Sequence, residues 1–159
     1  NQTAVAIEQD LPDRKWYGKK PKLFFDIRGI RAEELIPKIE QAAASYPYPS
    51  HYRAYPGPNS NTFISHILRS VPEIGIELPP NAIGKDWIKK GSLVGVSETG
   101  TGFQVSLFGL LGLTAGVSDG LEVNVLGLNF GLDVLRPALK VPLLGRLGIR
   151  DKKLGRKDR

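Results

Sequence analysis

Apolar residues follow two different rhythms along the chain. Over residues 31–46, Leu35, Ile36, Ile39, Ala42 and Ala43 recur at steps of three and four, the spacing of one helix face. Glu33 and Glu34 fall in the first turn, where negative charge suits the helix dipole. Pro37 removes a backbone donor, so it should kink this helix or mark its true start. A second helix is expected over about 60–70, with Phe63, Ile64, Ile67 and Leu68 inward, Arg69 outward and Pro72 just past the end. Residues 3–9 and 22–28 alternate and read as strands, the second with Leu23, Phe25 and Ile27 on one face.

Beyond Gly91 the rhythm changes to two. Short apolar or alternating runs at 93–96, 103–108, 110–117, 121–128 and 130–135 are separated by glycines, and Ser118-Asp119-Gly120 is a hairpin signal. These runs predict a small antiparallel sheet or partial barrel. The fold class is therefore α+β, a helical N-terminal half followed by a β half. Residues 99–118 carry no charge over the length of a membrane span, but five glycines, Gln104, Ser106 and the alternation favour buried strands.

Composition narrows the chemistry. The 159 residues suit one domain, and 41% hydrophobic with 24% charged content is ordinary for a globular protein. The absence of cysteine excludes disulfides, a thiolate nucleophile and cysteine-held metal. His51 and His66 are the only histidines and share no ligand spacing, so neither a metal nor a cofactor is expected. There is no methionine, so the first residue is not a native start; a histidine, signal or anchor upstream of Asn1 is compatible with the sequence.

Charge divides the chain into a domain at 1–139 and a basic tail at 140–159. The net charge is +6; the tail holds eight basic residues against two acids, leaving 14 of each sign in the first 139. Arg146, Arg150, Lys152, Lys153, Arg156 and Lys157 are the candidate contacts to a protein partner or an anionic lipid surface, since Leu143, Leu144, Leu147, Ile149 and Leu154 intersperse them. A solvated terminus is the plain alternative. Nucleic acid is disfavoured, because interleaved aromatics are lacking and Gly145, Gly148 and Gly155 interrupt any helical face.

The stretch YPGPNSNTF, 55–63, is the candidate site. It feeds a stiff loop into a helix start, where backbone amides favour a developing anion. Ser60 is the candidate nucleophile and His51 the candidate base. Against this stands a structural reading, favoured here, in which Asn59, Ser60, Asn61 and Thr62 cap and pack the helix.

The runs YRAYPGPNSNTFISHI, LPPNAIGKDW, TGFQVSLFGLLGL and GLEVNVLGLNFGLDVLRPALKVP resemble an uncharacterised, mainly bacterial family known as a domain of unknown function, over roughly residues 13–148. That resemblance implies no activity. Locally, NSNTF is similar to the NCNxF nucleophile motif of permuted papain-like hydrolases of the NlpC type, with Ser60 in the cysteine position. It implies a papain-like scaffold whose thiol chemistry is missing. The expected function is a non-catalytic accessory or interaction subunit of a membrane-associated assembly, with other protein subunits and an anionic membrane surface as partners. Peripheral membrane association in a bacterial envelope, or in an organelle of bacterial origin, goes with it. The alternative is a serine-dependent amidase or esterase using Ser60.

Overall fold

The computed structural model describes residues 4, 5, 14, 15, 17–21, 23, 25–89 and 92–148. Two helices precede a sheet, so the chain is α+β: α1 Ile30–Ala44, α2 Ser60–Ser70, a 3-10 turn Pro72–Ile74, then β1 Val94–Val96, β2 Gly102–Leu107, β3 Leu111–Gly116, β4 Gly120–Val125, β5 Leu128–Asp133, β6 Ala138–Val141 and β7 Gly145–Gly148. Irregular chain, rather than further helix, connects α1 to α2 and α2 to the sheet.

The helix pair holds an apolar core. Leu35 and Ala42 of α1 meet Ile67 and Leu68 of α2, with Val71 and Ile74 beyond. Helix α1 starts seven residues before Pro37, which lies inside it and withholds the bond that Glu33 O would accept. Ile36 is 52% exposed and Ile64 41%, so the buried stripes are narrower than the sequence pattern suggests. Residues 25–28 are not a strand. They run extended without a ladder, and Phe25 and Ile27 cover the helix core instead. The strand expected at 3–9 lies largely outside the described residues.

The sheet is an open up-and-down meander in which each strand pairs antiparallel with the next in sequence. Residues 99–118 hold β2, β3 and the turn between them. The sheet also runs past residue 139. Strand β6 straddles that boundary and β7 follows, so Lys140 and Arg146 are sheet residues rather than tail. Arg150, Lys152, Lys153, Arg156 and Lys157 lie outside the described residues.

The two faces are opposite in character. One register row reads Val96, Phe103, Ala115, Leu121, Leu132, Leu139, Leu147, one residue from every strand. The next reads Val94, Val105, Leu113, Val123, Phe130. Strand alternation puts these rows on one face, and their large side chains are exposed. The intervening row is Gly95, Gln104, Thr114, Glu122, Gly131, Lys140, Arg146, and Gln104, Thr114, Glu122 and Lys140 in it are buried. The sheet turns its polar face to the protein and its apolar face outward.

Candidate functional site

The segment LPPNAIGKDW is the joint between helices and sheet. A polar stripe on α2 grips its backbone: Asn61 Nδ2 donates to Ile83 O at 2.9 Å, Thr62 Oγ1 to Gly84 O at 2.8 Å, and Ser65 Oγ and Arg69 Nη2 to Lys85 O at 2.7 and 2.8 Å. Thr62, Ser65 and Arg69 recur at helical spacing, so with Asn61 this side of α2 reads three successive carbonyls. Arg69, expected outside, points inward and also donates to Gln104 Oε1 at 2.5 Å and Val96 O at 3.1 Å.

Asn59 anchors the start of α2. Its Oδ1 accepts from the Asn61 and Thr62 amides, and Thr62 Oγ1 accepts from the Asn59 amide, a complete capping box. Its Nδ2 donates to Ala54 O and Ile83 O, both at 2.9 Å. Gly84 packs directly above, at φ 95°, where an added Cβ would lie 2.5 Å from Asn59 Oδ1. Glycine alone meets both constraints.

Beneath the joint lies a buried polar layer. Asp86 is 1% exposed; its Oδ1 accepts from Gln104 Nε2 at 2.5 Å and its Oδ2 from Asn124 Nδ2 and Asn129 Nδ2 at 2.6 Å each. Next to it, Lys85 Nζ donates to Glu122 Oε2 at 2.9 Å. Lys140 Nζ donates to Glu122 Oε1, Glu77 Oε2 and Asp119 O, each at 2.6 Å. Glu122 and Lys140 reach each other across β5 because the residue between them is Gly131, where a Cβ would lie 2.8 Å from Glu122 Cγ.

Charge decides the protonation here. Four buried or half-buried carboxylates, Glu77, Asp86, Glu98 and Glu122, share two ammonium groups. Burial opposes charge on Lys85, yet Asp86, Glu98 and Glu122 hold it above the ordinary lysine range. Burial also opposes the Glu122 carboxylate, but Lys85 and Lys140 on either side keep it below the usual range. Glu77 is shifted the other way. Burial, aided by the nearby Glu122 charge, outweighs Lys140 and pushes it up to about 7. At the far end, Asp133 accepts from Arg136 Nε and Arg146 Nη2 at 3.2 and 3.0 Å; burial would raise its titration, but the Arg136 amide and these contacts overcome it and lower the titration.

Ser60 and His51 line one pocket of about 190 Å³ with Tyr46, Tyr52, Asn59 and Phe63. Both are exposed, and among the described residues no carboxylate lines that pocket. The other histidine, His66, lies between the helices with Nε2 3.0 Å from Ala42 O; burial lowers its titration. Among the described residues no cluster of three metal-ligating side chains occurs, and no helix is long and apolar enough to cross a membrane.

The larger feature is the outward face of the sheet. Strands at about 4.8 Å spacing make it roughly 29 Å across, and six-residue strands make it roughly 20 Å long. An uncharged surface of about 500 Å² is at the upper end of what monomers expose, and such patches mark interaction sites. A hollow of about 440 Å³ at the β5–β7 side is lined by Leu132, Leu139 and Leu147 of this face together with Asp133, Val134, Pro137 and Ala138. The sequence alternation carried this face, but alternation alone does not tell which side is covered.

A family model described as "Protein of unknown function (DUF3750)" matches residues 1–87, ending at Trp87, before β1. No curated protein and no solved structure matches the chain.

Proposed function

We propose that this chain, which belongs to the DUF3750 family of proteins of unknown function, is a non-catalytic accessory subunit docked on a membrane-associated assembly by the outward face of its sheet. The supporting observation is the uncharged face itself, with Phe103, Val105, Leu113, Leu121, Val123, Phe130 and Leu132 each at least 40% exposed. Leaving that much apolar surface in water costs about 25 cal/mol per Å² and invites aggregation, so a docking partner covers it. The polar groups of the domain are meanwhile occupied with holding the sheet to α2. Peripheral attachment in a bacterial envelope, or in an organelle of bacterial origin, fits this arrangement.

The natural lack of cysteine makes the test direct. Single-cysteine variants Val123→Cys, at the centre of the face, and Glu40→Cys, on exposed α1, are treated with a water-soluble maleimide in membranes from producing cells. Val123→Cys reacts slowly and Glu40→Cys fast; after purification in detergent-free buffer the two rates converge. Equal rates in the native membranes refute the docking role.

A second reading has one specific observation behind it: Ser60 and His51 line the same pocket. In it, the chain is a serine-dependent amidase or esterase on a papain-like scaffold, with Ser60 as nucleophile and His51 as base. Hydrolysis of an ester or amide panel that survives Ser60→Ala unchanged, or no turnover by the wild type, rules it out.

A further inference from the structure

We infer that the occupant of the apolar face is an anionic lipid surface, entered by the hairpin tips Phe108, Leu126 and Leu143. This rests on the docking role above and names its partner.

The tips carry the argument. Phe108 lies in the β2–β3 turn, Leu126 in β4–β5 and Leu143 in β6–β7. In an up-and-down meander these alternate turns lie at the same end of the sheet. All three residues are left-handed, with φ of 51°, 52° and 68°. Turn positions with positive φ ordinarily take Asn, Asp or Gly, because a bulky Cβ crowds the following carbonyl. Here large apolar side chains occupy it three times over. They are not compensated by burial: Phe108 is 58% exposed, although its ring touches Trp87, Leu126 is 59% and Leu143 is 88%. Strain retained at three exposed positions at one end of the sheet points to use rather than to stability.

The tips also discriminate between occupants. A second copy stacked on the sheet would lie about 10 Å above the face and cover its rows. The tips lie in turns beyond the strand ends, outside the rows that such a sandwich would cover. A lipid surface takes the face and its rim together, as interfacial elements buried a few ångströms deep do. Charge agrees. The face bears none, and the chain leaves its edge strand β7 at Gly148. The next eleven residues in sequence hold six basic side chains against two acids, matching anionic headgroups.

The full chain is floated with vesicles of phosphatidylcholine alone and of phosphatidylcholine mixed with phosphatidylglycerol. The wild type floats with the mixed vesicles and weakly with the neutral ones. The variant Phe108→Asn/Leu126→Asn/Leu143→Asn places residues that tolerate positive φ at the tips. Its urea midpoint is unchanged or higher, while vesicle affinity falls about a hundredfold or more. A dye on Leu126→Cys, in the otherwise native chain, shifts to the blue on mixed vesicles. Three results overturn the inference: a wild type that stays with the soluble fraction, a triple variant that floats like the wild type, or a dye that does not shift. If the wild type does not float but Val123→Cys is still protected in native membranes, a protein covers the face, and the docking role stands without the lipid. Concentration-dependent dimers with no flotation identify a second copy.

Discussion

Replacing Asp86 by asparagine changes one oxygen into an amino group and leaves the shape intact, so it isolates the polar chemistry at the joint. Asp86 receives three amide donors, on Gln104, Asn124 and Asn129, and donates nothing. The substituted amide needs acceptors where only donors face it. With its nitrogen toward Gln104, relief requires Gln104 to flip, but Gln104 Oε1 is held by Arg69 Nη2. With its nitrogen toward the other pair, Asn129 can flip, because its Oδ1 has no partner, but Asn124 Oδ1 accepts from the Gly127 amide. Each orientation therefore leaves at least one donor against another. Losing hydrogen bonds to a charged acceptor costs about 1.5–3 kcal/mol, and a stranded buried donor about 1–3 more. The sum, about 2.5–6 kcal/mol, is a large share of the ~5–15 kcal/mol typical of a domain. Urea unfolding of Asp86→Asn at pH 7, followed by far-ultraviolet circular dichroism, measures it. A loss under about 0.5 kcal/mol would show that the amides rearrange freely and that Asp86 does not organise the sheet.

Three further outcomes follow from the same contacts. Gly131→Ala puts a Cβ 2.8 Å from Glu122 Cγ and 3.0 Å from Leu121 O, so thermal unfolding should show about 1–3 kcal/mol of destabilisation through the displaced Glu122–Lys140 pair. Glu77 titrates near 7 when folded against an ordinary 4.5, so the folded state keeps a proton that the unfolded chain releases; stability should fall as pH rises from about 4.5 to 7, by up to about 1.4 kcal/mol per unit, and Glu77→Gln should flatten that slope in urea titrations across the range. Asn59→Ala strands the α2 start and the Ala54 carbonyl, while Ile83 O keeps the Asn61 amide, and should cost about 2–4 kcal/mol in the same assay, whereas Ser60→Ala, at an exposed position, should stay within about 0.5 kcal/mol.

How far this fold reads from sequence depends on what each pattern encodes. Both helices and the hairpins at 102–133 are local, written in spacing and in Ser118-Asp119-Gly120, and they form close to where the pattern places them, except that the run at 121–128 breaks at Leu126-Gly127 into the β4–β5 turn. Strands β6 and β7 are hidden because Lys140 and Arg146 read as members of a charged tail. Each in fact pairs with a buried carboxylate, Lys140 with Glu122 and Arg146 with Asp133, at separations of 18 and 13 residues. Sidedness is the larger loss. A period of two defines two faces and is silent on which one meets the domain. The available signal was chemical: Gln104, Glu122, Asn124 and Lys140 are hydrogen-bonding groups interleaved with Gly95, Gly112 and Gly131, as close-packed polar layers require. The stripe Thr62, Ser65, Arg69 on α2 was a second signal, masked by the stronger apolar stripe of Ile67 and Leu68. At YPGPNSNTF the capping role of Asn59 and Thr62 was legible from residue type alone. Its use in gripping Ile83 was not, because that contact spans 24 residues.

The meander has a kinetic consequence. Every sheet pairing joins neighbouring segments, so each hairpin closes a short loop and the sheet can zip from any turn outward, a low-contact-order process. The contacts that fasten the sheet to the helices are of the other kind, spanning 18–43 residues from Asp86 to Gln104, Asn124 and Asn129. This contrast predicts that the sheet pairs early and that Lys85 and Asp86 capture its polar face afterwards; pulse-labelled hydrogen exchange that protects the strand amides no earlier than those of α2 would refute it. During that interval the outward face would already be complete, so a newly made chain would expose its apolar surface before its own domain has closed.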